Sequence, residues 1–178
     1  MLDLQVFENG YNVSGSVIAK SEKNDCMVRA CANAYGVDYD TAHQFVKQRF
    51  NRKNRSGVKN SYDTLKQLCD EITVFNVADG HQLDLFTDTP LQTEHELKYV
   101  GSEPKRGGKL YNSKYTHKKV AYTVKTFMQK YTKGTYIVLV NKHALVVKDG
   151  VLVDNPNNRF NGYRRTVECA FKVIHKAY

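Results

Sequence analysis

Apolar positions along this chain follow two rhythms, helical in the first third and strand-like in the last. Met27, Ala30, Cys31 and Ala34 recur three and four residues apart, which predicts a helix opening at Asn24 or Asp25. Gly36 is placed to end it, because glycine enters the left-handed conformation without a Cβ clash. Asp38 can cap a second helix whose stripe is Ala42, Phe45, Val46 and Phe50, with Lys47 and Arg49 off that face. Ser61 can cap a short third one with Leu65 and Leu68 inward, and residues 72–77 then alternate like a strand. A further helix is expected over 118–130, through Val120, Ala121, Val124, Phe127 and Met128.

The rhythm then changes. Residues 136–140 form an unbroken apolar run, as a strand covered on both faces requires. His143 opens a second strand, Lys148-Asp149-Gly150 supplies a hairpin turn, and Val151-Leu152-Val153 returns. A last strand is expected over 167–174. Helices followed by an antiparallel sheet predict an α+β fold rather than alternating α/β. Two regions lack a rhythm. Residues 1–24 read as a short strand or hairpin, turning at Asn9-Gly10, and then a polar linker. Residues 78–117 carry Gly80, Pro90, Gly101, Pro104, Gly107 and Gly108, and read as a long irregular insertion with a strand near 97–100.

With 178 residues, 41% of them apolar, the chain suits one domain with one core. No apolar run reaches the roughly 20 residues of a membrane helix, so no membrane partner is expected. Nor does the start resemble a secretory signal. Four cysteines, Cys26, Cys31, Cys69 and Cys169, lack disulfide-scaffold density and zinc-site spacing. Reduced thiols and a cytoplasmic setting are therefore expected, with no metal and no organic cofactor.

The net charge of +9 is unevenly spread. Residues 47–59 carry a net +6, residues 103–133 a net +8, and the remainder −5. Such clusters suit an anionic partner, a nucleic acid or an acidic protein. The candidate contacts are Arg52, Lys53 and Arg55 in the first tract and Lys105, Arg106, Lys109, Lys118 and Lys119 in the second. Tyr111, Tyr115 and Tyr122 lie among the latter and can stack bases. No helix-turn-helix, zinc finger or RNP-type run accompanies them. A basic nucleic-acid-binding module is thus one reading of the chain.

The other reading is chemical. Cys26 falls in the first turn of the first predicted helix, where unpaired N–H groups and the helix dipole favour a thiolate. The same N–H groups can hold an oxyanion. His143 opens a strand, and the hairpin turn folds Asp154 back toward it, where a carboxylate can fix the imidazole's tautomer. Each residue alone has an ordinary explanation. A helical cysteine is usually a small buried hydrophobe, as Cys31 is expected to be, and Asp154-Asn155-Pro156 is turn chemistry. The chemical reading rests on all three in this order.

The stretches Asn24-Asp25-Cys26-Met27-Val28-Arg29-Ala30, Gly134-Thr135-Tyr136-Ile137-Val138-Leu139-Val140, His143-Ala144 and Asp149-Gly150-Val151-Leu152-Val153-Asp154 resemble a small papain-like cysteine peptidase. In pattern they are similar to bacteriocin-leader peptidases and to short papain-like proteins encoded by bacteriophages. The resemblance covers residues 22–50 and 133–156. It implies a helical half packed on an antiparallel sheet, with Cys26 as nucleophile, His143 as general base and acid, and Asp154 (or Asn155) as the orienting group. It implies acyl transfer through a thioester by a peptidase or deamidase acting on a protein or peptide, in a host cytoplasm if the chain is phage-encoded. Papain-like enzymes usually carry an oxyanion-binding glutamine six residues before the cysteine. Here that position is Lys20, so Asn24, Ser21 or backbone amides are left for the role. Met27 stands where a small residue is common. A relative that keeps the fold as a binding module without catalysis is the alternative within this resemblance.

Overall fold

The apolar run at 135–140 becomes the axis of the protein. The computed structural model describes residues 16–76, 92–100, 122–154 and 162–176. Among them the helices are α1 (Val17–Ser21), α2 (Cys26–Tyr35), α3 (Tyr39–Arg49), α4 (Ser61–Leu68) and α5 (Val124–Lys130). The strands are β1 (Ile72–Asn76), β2 (Gln92–Val100), β3 (Thr135–Val140), β4 (His143–Lys148), β5 (Val151–Val153) and β6 (Val167–Lys176). They form one antiparallel sheet in the order β1-β2-β6-β3-β4-β5. The class is α+β. No helix among the described residues is long and apolar enough to cross a membrane.

All six residues of β3 are buried because both faces of the sheet are covered. Ile137 and Leu139 join a core with α2, α3 and α4, through Val28, Cys31, Tyr39, Val46 and Leu65. Tyr136, Val138 and Val140 join a second core on the opposite face, with Val124, Phe127 and Met128 of α5. Seven of the ten residues of α2 are buried, so this helix is held by tertiary packing more than by intrinsic propensity. Gly36 ends it in the left-handed conformation, with φ 70°. Asp38 caps α3 by accepting the Thr41 N–H at 2.8 Å.

Several expectations change. Residues 92–100 are part of the sheet rather than of an irregular insertion: β2 is nine residues long and pairs with both β1 and β6. Leu97 and His95 are its buried positions, too few for a strong apolar signature. Residues 17–21 form a short helix rather than a linker, opened by Ser16, whose Oγ accepts the Ala19 N–H at 3.0 Å. At the head of α2, Asp25 makes no side-chain cap, because Oδ2 accepts from Arg29 Nε at 2.9 Å and from the Tyr39 hydroxyl at 2.8 Å. At α4 the capping position is Asn60, without a side-chain bond, and Ser61 is the first helical residue. The helix expected over 118–130 starts only at Val124, because Thr123 is extended, bridges Thr166 and caps α5 through a reciprocal pairing with Thr126. The expected hairpin at the N-terminus, residues 118–121 and the rest of the 78–117 segment lie outside the described residues.

Candidate active site

Cys26 is the first residue of α2, and α2 lies across β3 and β4 so that its N-terminal end meets the start of β4. The Cys26 thiol is half-buried and hydrogen-bonds the His143 imidazole. His143 Nε2–H donates to both carboxylate oxygens of Asp154, at 2.9 and 3.0 Å. With Nε2 engaged there, Nδ1 is the nitrogen that serves Cys26. The β4–β5 hairpin explains the carboxylate's place: Val146 pairs with Val153, so the chain after Val153 runs back past the start of β4. His143 and Asp154 side chains are each only 12% exposed.

Burial works against the Cys26 thiolate, yet the hydrogen bond from His143, backbone N–H groups of Ala144 and Met27 and the imidazolium charge outweigh it. The thiol sits below its ordinary pKa. Burial likewise opposes the His143 imidazolium, and hydrogen bonds to Asp154 and Cys26 overcome it, raising His143 to about 9. Both shifts favour the charged pair. The other three thiols move the opposite way. Burial pushes Cys31 far above the ordinary range, Cys69 up, and Cys169 up to about 12. One thiol of four is therefore set apart by its surroundings.

Cys26 and His143 line an open cleft of about 670 Å³, and Asp154, bonded to His143, is not on its lining. One wall is the loop and helix start at Gly57, Val58, Asn60, Ser61 and Tyr62; the other is Leu139, Val140, Lys142, Ala144 and Glu168. Non-glycine residues with positive φ gather at its edge: Asn24 (53°), Arg55 (60°), Asn60 (57°) and Lys142 (56°). Such backbone costs of order 1–3 kcal/mol per residue and persists where surrounding contacts impose it.

Asn24 lines the cleft, its Nδ2 donating to the Arg55 carbonyl at a long 3.4 Å. Ser21 does not. Its hydroxyl donates to the Ile18 carbonyl at the end of α1, which removes it from the oxyanion role. Lys20 is exposed on the same short helix and is also absent from the lining. Arg52 is corrected more sharply. It is buried and its Nη2 donates to Glu22 Oε2 at 2.6 Å and to the Lys23 carbonyl at 3.1 Å, so it cannot meet an outside anion. Lys53 and Arg55 are exposed. Asn155, Lys105, Arg106, Lys109, Lys118 and Lys119 lie outside the described residues.

Two features escaped the sequence reading. Glu22 gathers Arg52, the Arg55 N–H at 2.9 Å and His43, and thereby ties the segment before Cys26 to the loop forming the cleft wall. No local pattern in the sequence marks Glu22 as the partner of a basic tract thirty residues further on. Glu168 reaches the cleft from a bulge in β6, where the register against β3 slips between Leu139 and Val140. Compared with known protein families, with curated proteins and with solved structures, the chain matches none of them.

Proposed function

We propose that this protein is a thiol hydrolase of the papain-like kind, a peptidase or deamidase acting on a protein or peptide. The observation that carries the reading is the contact chain Cys26–His143–Asp154 opening onto one cleft. On this reading the Cys26 thiolate attacks the substrate carbonyl carbon, and the oxyanion takes hydrogen bonds from first-turn N–H groups of α2 and from the Asn24 amide. The His143 imidazolium gives its Nδ1 proton to the leaving amine, so a thioester forms and the C–N bond breaks. His143 then takes a proton from water, hydroxide attacks the thioester, and the acid and free thiolate are released. Asp154 holds the ring with Nε2–H directed away from Cys26. The cytoplasmic, phage-encoded setting belongs to the same proposal and rests on the resemblance.

The test is limiting iodoacetamide on the folded protein from pH 5 to 9, with the label mapped by mass spectrometry. Selective labelling of Cys26 well below the ordinary thiol pKa of about 8.5, lost in His143→Ala, is the expected result. Slow labelling with an ordinary profile would overturn it. The second reading, a papain-like scaffold without catalysis, is favoured by one observation: Lys20, at the position of the expected oxyanion donor, stands exposed and off the cleft.

A further inference from the structure

Resting on that hydrolase reading, we infer that the cleft selects polypeptide segments bearing acidic side chains beside the bond it opens. Exposed cations from three separate segments line it or adjoin residues that do. Lys142 lines it directly. Lys23 precedes the lining residue Asn24, Lys59 lies between lining Val58 and Asn60, and Arg55 presents the carbonyl that Asn24 contacts. None of these four side chains has an ion-pair partner among the described residues. Of the acids nearby among the described residues, Asp25 is taken by Arg29 and Tyr39, Glu22 by Arg52 and Asp154 by His143, while Asp63, next to the lining residue Tyr62, is exposed. Glu168 is the exposed carboxylate on the lining, and it shares the β3–β6 end of the cleft with Lys142. That end is close to neutral. The lip built from residues 22–24 and 55–60 carries the exposed cations Lys23, Arg55 and Lys59, which outnumber Asp63 beside it among the described residues.

The lip is also held in place. Glu22 Oε2 accepts both the Arg55 N–H and the Arg52 guanidinium, which pins the loop backbone against the segment leading to Cys26. Charges within a Debye length of about 8–10 Å add, and a cleft with apolar walls concentrates their field. A polypeptide fits better than a nucleic acid. Val58, Leu139, Val140 and Ala144 make much of the lining apolar, whereas strand binding by stacking needs successive aromatic rings and, among the described residues, the lining offers only Tyr62.

The test uses the full chain and three methanethiosulfonates: neutral methyl, anionic 2-sulfonatoethyl and cationic 2-(trimethylammonio)ethyl. Rates at Cys26 are followed by mass spectrometry and normalised to the neutral methyl reagent. The anionic reagent is expected to outpace the cationic one about tenfold at low salt, and the preference should collapse as salt rises. The double variant Arg55→Glu/Lys59→Glu should remove or invert it, and Lys142→Gln should change it less. A glutamate-rich peptide should protect Cys26 where an oligonucleotide of equal charge does not. A ratio of one or below at low salt overturns the inference, and so does better protection by the oligonucleotide, which assigns the lip to nucleic acid. Salt dependence in the unsubstituted protein decides the matter even if the double variant fails to fold. The neutral reagent's pH profile reports the thiolate separately. An ordinary thiol profile beside a strong anionic preference would fail the hydrolase and not the lip.

Discussion

Among the described residues, two clusters pair a histidine with a carboxylate, and they differ in what surrounds them. In the cleft, His143 Nε2 meets Asp154 at 2.9 and 3.0 Å, and the imidazole's other side meets Cys26. Behind the loop wall, His43 Nε2 lies 3.3 Å from Glu22 Oε1 and 3.2 Å from Arg52 Nη1. That single nitrogen can serve one of them at a time. Glu22 and Arg52 side chains are 4% and 1% exposed, and no thiol belongs to the cluster. The comparison teaches that a histidine–carboxylate contact is not itself a site. Access and a thiol set one cluster apart; closure and a guanidinium make the other a clamp.

The strongest way to break this contrast is to remove the proposed nucleophile or its proposed base. On the proposed mechanism Cys26→Ala or His143→Ala each lowers turnover of a cleaved peptide by about 10⁴–10⁶-fold, because nucleophile and base act as one unit. Equal turnover in either variant would end the distinction. In the sealed cluster the expected loss is of stability. Arg52→Met leaves the buried Glu22 carboxylate without its guanidinium, held only by the Arg55 N–H and His43, at a cost of about 3–5 kcal/mol read from urea unfolding, while Cys26 in the still-folded protein keeps its low-pH reactivity. A loss below about 1 kcal/mol would show that Glu22 is not held as a buried charge.

A third histidine sharpens the comparison. His95 on β2 is buried against Tyr35, Phe75 and His175, with Thr93 Oγ1 at 3.2 Å from Nε2. Burial, and then the nearby His175, lowers it to about 4. Its folded pKa thus lies below its unfolded value of about 6.5, and the unfolded chain binds the extra proton. The stability tied to neutral His95 is complete above pH 6.5 and is lost as pH falls toward 4, by roughly 3 kcal/mol. His95→Phe should flatten that part of the unfolding curve, and an unchanged slope would contradict the assignment. The smallest effect belongs to Asp154→Asn. The amide oxygen still accepts from Nε2–H, but the charge that raises His143 is gone, so Cys26 alkylation near pH 6 should fall about tenfold, one pKa unit. A drop as large as that of His143→Ala would mean that Asp154 does more than orient and charge the ring.

Much of this was legible in the chain. Helical spacing gave α2, α3 and α4, the apolar run gave β3, and the short turn at 148–150 gave the hairpin that returns Asp154 toward His143, because each depends on neighbours within a few residues. The order of Cys26, His143 and Asp154 was readable for the same reason. Long-range pairing was not. Arg52 and Lys53 look alike in a basic tract, and only Glu22, thirty residues earlier, turns one inward. The bulge shows the limit most plainly. Val167, Cys169, Phe171 and Val173 alternate without a break, which places all four on one face. In the sheet Val167 packs with α5 while the other three pack with α2–α4, because the register slip gives β6 an extra residue.

The sequence by itself determined the local elements, the α+β class and the approach of His143 to Asp154, since period, caps and turns are local properties of the backbone. Tertiary structure decided which histidine meets a thiol, which arginine is sealed, and which carboxylate faces the cleft. Those outcomes depend on burial and on partners far apart in the chain, where desolvation and pairing outweigh any local preference.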